Sequence, residues 1–141
     1  MGDEAIFVTM DAGETWQNIT GNLKSASGVV GKVRPGGLLL VDLDDEDKAI
    51  KARALLVGTS NGIMITFVPS VAKVQQWERF GAEDFPIVLV AEVNYEPISD
   101  RLVAATFGRG IYILKEAKNK LRKARDRMLT QKGSHSVATS N

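Results

Sequence analysis

Asp11 is the carboxylate whose neighbours are most specifically spaced around it, in Thr9-Met10-Asp11-Ala12-Gly13-Glu14-Thr15-Trp16. A carboxylate between two hydroxyls can act in general acid or base chemistry, or as a calcium ligand. It can also accept hydrogen bonds from the backbone N–H groups that follow it and so close an Asx-turn. Gly13 can take the positive φ that a residue with a Cβ resists. Thr15 restarts a strand, and Trp16 adds apolar surface with an indole N–H that needs a partner. The residue types therefore predict a self-satisfied hairpin, in which Thr9, Asp11, Gly13, Thr15 and Trp16 are structural. Catalysis or calcium binding at Asp11 is the alternative.

Other groups carry weaker signals. Asp42-Leu43-Asp44-Asp45-Glu46-Asp47 gathers five carboxylates, but without the spacing of a calcium-binding loop, and it reads as a solvated acidic connection. Gly28-Val29-Val30-Gly31-Lys32 lacks the outer glycine and the terminal Ser/Thr of a phosphate loop. His135 is the single histidine and lies in a polar tail, so it anchors neither a triad nor a two-histidine metal site. Asn18-Ile19-Thr20 is a formal glycosylation sequon at Asn18, relevant only on a secretory route. The chain has no cysteine, which excludes disulfides and thiolate chemistry. No metal and no cofactor is expected.

Charge is uneven along the chain. The net value is +1 over 141 residues, yet 115–132 hold eight Lys/Arg against Glu116 and Asp126. The rest is acidic, so an acidic body carries a basic tail. Leu114, Ala117, Leu121, Ala124 and Met128 recur at three- and four-residue spacing, and Gly133 offers a stop. A basic helix over 115–132 is predicted, followed by a disordered tail over 133–141. Its expected state is a solvated helix docked loosely on the acidic body. The alternative is a surface for anionic lipid or nucleic acid, with Lys118, Arg122, Lys123 and Arg125 as the anion contacts, or helix-mediated association. No apolar run approaches the roughly 18 residues that span a bilayer, and no secretion signal is evident.

The elements that would position these groups come from a repeat. Leu55-Leu56-Val57-Gly58-Thr59-Ser60-Asn61-Gly62-Ile63-Met64-Ile65 returns as Leu102-Val103-Ala104-Ala105-Thr106-Phe107-Gly108-Arg109-Gly110-Ile111-Tyr112-Ile113. Thr59 and Thr106 are 47 apart, and Gly62 and Gly110 are 48 apart. Each copy reads as strand, glycine turn, strand, which is a β-hairpin. Apolar runs at 38–41 and 87–90 precede them, each after a proline-containing turn. Superposing the units gives four strands, a to d. The middle unit has a at about 37–43, b at 53–59, c at 62–68 and d at 74–80. The first unit (about 5–20) has c and d alone; the last (about 87–114) has a, b and c. Trp16 and Trp77 then share the start of strand d. The prediction is an all-β, antiparallel chain of about two and a quarter four-stranded units plus the basic C-terminal helix.

The octet at 9–16 resembles the hairpin of BNR/Asp-box repeats, the β-propeller family that includes sialidases, sortilin-type ectodomains and xyloglucan-cleaving glycosidases. Phe107-Gly108-Arg109-Gly110-Ile111 also resembles the Gly-Arg-Gly turn of last blades in such proteins. The resemblance covers roughly 5–114, and the middle unit departs from it, having Thr66-Phe67-Val68-Pro69-Ser70-Val71 where an Asp-box belongs. It implies propeller blades, an Asp-box away from any active site, and an extracytoplasmic parent. Too few units are present to close a ring of about four to eight blades. The partner expected from that count is either the missing blades or another copy of the chain. A sialidase would need an arginine cluster, a nucleophilic Tyr and an acid Asp. Arg34, Arg53, Arg79, Arg101, Arg109, Tyr95 and Tyr112 are available but match no catalytic motif. The expected function is a non-catalytic interaction or scaffold module for a protein or glycan ligand. The alternative is the C-terminal part of a glycoside hydrolase of sialidase or xyloglucanase type.

Overall fold

A computed structural model describes residues 5–23, 37–43, 52–69, 75–81 and 83–138. Among these, nine strands form three antiparallel sheets. The first sheet pairs β1 (Phe7–Val8) with β2 (Gln17–Asn18). The middle sheet runs in order from β3 (Leu38–Val41) through β4 (Arg53–Thr59) and β5 (Gly62–Val68) to β6 (Glu78–Phe80). The last sheet holds β7 (Val90–Glu96), β8 (Arg101–Thr106) and β9 (Ile111–Lys115). Helix α1 (Ala117–Ala138) follows. Both repeated segments are hairpins, and the middle sheet has the four-strand order the repeat implied.

Equivalent residues close the two repeated turns. The Thr59 hydroxyl donates to the Gly62 carbonyl at 2.8 Å, and the Thr106 hydroxyl to the Gly110 carbonyl at 2.6 Å. The extra residue of the second turn is absorbed by two glycines, Gly108 and Gly110, both at φ 80.

The middle sheet is covered on both faces, which is why β4 and β5 read as nearly unbroken apolar runs instead of alternating. Directly paired residues share a face, and so do residues two apart. Ala54, Leu56, Ile63, Ile65 and Phe67 therefore point one way, into a core shared with Val90, Val93, Leu102, Ala104 and Leu114 of the last sheet. Leu55, Val57, Met64 and Val68 point the other way, onto Ile6, Ile19 and Leu23 of the first sheet region, together with Trp77. The chain thus stacks its sheets in sequence order.

Three differences from the sequence reading concern the ends of elements and the helix. Strand a of the last unit begins at Val90 instead of 87, because Ile87 and Leu89 are exposed and only Val88 turns inward after Pro86. A register shift between Val90 and Glu92 accompanies that entry. The helix continues past Gly133 to Ala138. A glycine inside a helix costs about 1 kcal/mol relative to Ala and does not end it without a left-handed cap behind it. Nor is the helix loosely docked. Ala117, Leu121, Ala124 and Met128, the stripe read from the sequence, are buried in the core shared by the middle and last sheets, with Leu114. No helix among the described residues is long and apolar enough to cross a membrane. Residues 24–36, 44–51 and 70–74, which include Arg34, the glycine segment at 28–32 and the acids at 44–47, lie outside the described residues, as do 139–141.

Candidate functional site: the Asp11 turn, the basic helix and two open sheet faces

The turn around Asp11 is closed by its own groups. Thr9 Oγ1 donates to Asp11 Oδ1 at 2.9 Å and accepts the Gly13 N–H at 2.8 Å. Asp11 Oδ1 also accepts the Thr15 N–H at 2.8 Å, while the Thr15 hydroxyl donates to Oδ2. Both carboxylate oxygens are engaged within the hairpin. The Thr15 hydroxyl above all, then the Thr15 amide and the Thr9 hydroxyl, hold the Asp11 carboxyl below its ordinary pKa. Gly13 sits at φ 98 and Ala12 at φ 57, the left-handed conformations that let the chain reverse here. Trp16 donates its indole N–H to the Gly13 carbonyl at 3.1 Å. The carboxylate accepts hydrogen bonds from Thr9 and Thr15, and through them it staples the turn.

Asn18 is exposed on β2, and its Oδ1 accepts the Thr20 N–H at 2.9 Å. The amide is thus held by the residue that completes its sequon.

The four basic residues proposed as anion contacts are divided among different tasks. Lys118 Nζ stands 6.0 Å from the centre of the Tyr95 ring. Arg122 donates to the Leu43 carbonyl. Arg125 is buried and pairs with Asp126 at 3.1 Å, and Lys123 is exposed. Two more helix cations meet acids: Lys120 with Asp84 at 3.3 Å and Arg127 with Glu78 at 3.1 Å. Much of the positive charge therefore faces the body, where it anchors the helix. A cleft of about 320 Å³ beside it is lined by Arg79, Asp84, Lys120, Lys123 and Arg127 among others.

Asp100, which nothing local in the sequence marks, locks the helix start. Its Oδ1 accepts the Lys118 N–H at 2.9 Å and the Tyr95 hydroxyl at 3.0 Å, and its carbonyl accepts the Ala117 N–H at 3.1 Å. The cap comes from the β7–β8 turn, far from the helix in sequence, and the residue just before the helix is Glu116 instead of the usual Ser, Thr, Asp or Asn.

Among the described residues, the arginines considered for a sialidase-like cluster make separate contacts, and Arg34 lies outside them. Arg53 reaches Asp42 at 3.8 Å, and Arg79 donates to the Phe85 carbonyl at 3.0 Å. Arg101 begins β8 and Arg109 lies in the turn beyond its other end, so the six-residue strand, roughly 20 Å of extended chain at about 3.3 Å per residue, separates them. Tyr95 binds Asp100, and Tyr112 packs edge-on against Phe85. Among the described residues no group of three or more His, Cys, Asp or Glu side chains is arranged to hold a metal ion.

Two sheet faces remain open. On the last sheet, Val103 pairs with Ile113 and Ala105 with Ile111, on the side opposite the core. Ile111 and Ile113 are 69% and 55% exposed, and Phe107 in the adjoining turn is exposed as well. At the other end, Phe7 lies on the face of β1 turned away from the middle sheet, opposite Asn18, and Trp16, two residues before Asn18, is 62% exposed against 1% for Trp77. Next to this face a groove of about 540 Å³ runs between β1 and the exposed Leu38 and Leu40 of β3, floored by Leu55 and Val68. Leu38 and Leu40 are exposed, and among the described residues no strand pairs with the outer edge of β1.

No family model, no curated protein and no solved structure matches the chain. The functional reading therefore rests on the geometry.

Proposed function

We propose that the chain is a run of propeller-type blades of the BNR/Asp-box kind, working as a non-catalytic interaction module that meets a protein partner on a sheet face. One observation carries the reading. The outer face of the last sheet presents Val103, Ala105, Ile111 and Ile113, at the repeat positions of Leu56, Gly58, Ile63 and Ile65. Of these, Leu56, Ile63 and Ile65 are buried in the core shared with the last sheet, and Gly58 lies close against Val90. A surface built like an internal packing face, but left exposed, is suited to receiving another sheet. Four-stranded antiparallel order, stacking in sequence order and the Asp-box staple support the blade assignment. A flat aliphatic face favours protein over glycan, whose hydroxyls need convergent polar groups.

The glycoside hydrolase alternative has less behind it. Arg53 and Arg79 are engaged with Asp42 and the Phe85 carbonyl, and Asp11 is spent on its own turn.

Two measurements test the reading. Fluorogenic sialoside and xyloglucan should not be hydrolysed by the chain; turnover would overturn the non-catalytic assignment. An apolar fluorescent dye such as ANS should bind the chain and lose most of its signal in an Ile111→Ser/Ile113→Ser variant. An unchanged signal would overturn the open sheet face as the interaction surface.

A further inference from the structure

Resting on that reading, we infer that the occupant of the open last-sheet face is a second copy of this chain, docked head to tail through the Phe7 and Trp16 face of its first sheet.

The argument begins with the direction of stacking. In the middle sheet, Leu55, Val57 and Met64 face the preceding sheet, and Leu56, Ile63 and Ile65 face the following one. In the last sheet the repeat equivalents of the first group, Leu102, Ala104 and Tyr112, again face the preceding sheet. The equivalents of the second group, Val103, Ile111 and Ile113, face outward. The last sheet is therefore oriented to receive a follower by the same displacement that relates it to the middle sheet.

The first sheet carries the other half of that interface. Ile6, Val8 and Ile19 turn toward the middle sheet, which leaves Phe7 and Trp16 on the side where a preceding sheet belongs. Trp77 stands one residue before β6 as Trp16 stands one residue before β2. Trp77 is buried against the preceding sheet and donates to its Ile19 carbonyl at 2.8 Å. Trp16 has the same position in its unit, but with no sheet before it among the described residues.

A detail at Gly58 selects the first sheet over a complete four-stranded one. A Cβ at Gly58 would stand 2.6 Å from the Val90 carbonyl, so β7, the first strand of the last sheet, approaches β4 at a position open only to glycine. The equivalent position on the outer face is Ala105. A follower with a strand placed like β7 would meet that methyl group. The two-stranded first sheet brings no such strand among the described residues and leaves room for it.

Such an interface is heterologous: the two surfaces differ, and each copy carries one of each. This dictates the test, by light scattering coupled to size-exclusion chromatography over a range of concentrations. The unmodified chain should exceed its 15.3 kDa monomer mass as concentration rises. Phe7→Glu and Ile113→Lys, each blocking one surface at an exposed position, should each be monomeric, with circular dichroism like the unmodified chain. Mixed in equal amounts they should form a two-chain species and nothing larger, since one retains each surface. Trp16→Glu with Ile111→Lys should repeat the result.

Three outcomes would overturn the inference: a monomer at every concentration, self-association that survives Phe7→Glu, or a mixture that stays monomeric. A monomer whose ANS signal still depends on Ile111 and Ile113 would leave the open-face reading standing and remove the second copy as its occupant. Loss of both would remove the two together.

Discussion

Asn22 and Trp77, 55 residues apart, hold each other as a strand pair would. Asn22 Oδ1 accepts the Trp77 N–H at 2.7 Å, and Asn22 Nδ2 donates to the Trp77 carbonyl at 3.2 Å. With the Trp77 indole bonded to Ile19, this side-chain amide ties the first sheet region to the edge of the middle one. Replacing Asn22 with Ala should leave two backbone groups of a half-buried contact unpaired, at about 1–3 kcal/mol each at most. Asn22→Asp keeps the acceptor and loses the donor, and should cost less than Asn22→Ala in urea unfolding. Equal losses would show that the amide acts only by filling space.

The two tryptophans should be separable by fluorescence. Acrylamide should quench Trp16 readily and Trp77 hardly at all, so Trp16→Phe should remove most of the quenchable, longer-wavelength emission. Trp77→Ala should destabilise by about 3–5 kcal/mol, the range for removing a large buried aromatic. Uniform quenching of both indoles would contradict the burial described for Trp77.

Gly58→Ala should force the middle and last sheets apart, since its Cβ has the Val90 carbonyl at 2.6 Å and the Val90 side chain at 3.0 Å. Overpacking of this kind costs about 1–3 kcal/mol. The midpoint of chemical denaturation reads it directly. A neutral result would mean the sheets approach less closely than the structure shows.

Helix docking gives a contrast within one element. Leu121→Ala, at a fully buried position, should cost about 2–5 kcal/mol, whereas Lys123→Ala, exposed two residues further on, should stay within about 0.5 kcal/mol. Asp100→Ala should remove the distant cap and cost about 1 kcal/mol. If the two helix variants behaved alike, the helix would not be part of the core.

Acid sensitivity follows from Asp11 and Glu96. Hydrogen bonds from Thr15 and Thr9 lower the Asp11 pKa; those from the Ser99 hydroxyl and the Ser99 and Ile98 amides lower that of Glu96. A carboxyl depressed on folding contributes stability that is present above its unfolded pKa and lost as pH falls through its folded value. Both turns should therefore hold through the ordinary carboxylate range and loosen only below it. Carboxyl carbon shifts followed by NMR should give midpoints below those of matching peptides. Midpoints at peptide values would mean that the Thr15 and Ser99 bonds do not persist in solution.

The sequence by itself determined what is local or periodic. Thr9, Asp11, Gly13 and Thr15 are close enough in sequence to bond one another without help, so their types predict the closed turn seen around Asp11. Two copies of strand, glycine turn and strand predict two hairpins because a β-turn is set by its own few residues. The spacing from Leu114 to Met128 predicts the buried stripe of the helix because 3.6-residue periodicity needs no knowledge of the partner. Tertiary structure decided what depends on neighbours distant in the chain. Trp16 and Trp77 hold equivalent positions in sequence, yet one is buried and the other open, because burial is a property of the sheet that stands in front. Arg122 and Arg125 belong to a cationic stretch by sequence, yet the body holds one on the Leu43 carbonyl and buries the other. Asp100 caps a helix that begins seventeen residues later, a bond that exists only once the β7–β8 turn and the helix start are brought together by the core beneath them.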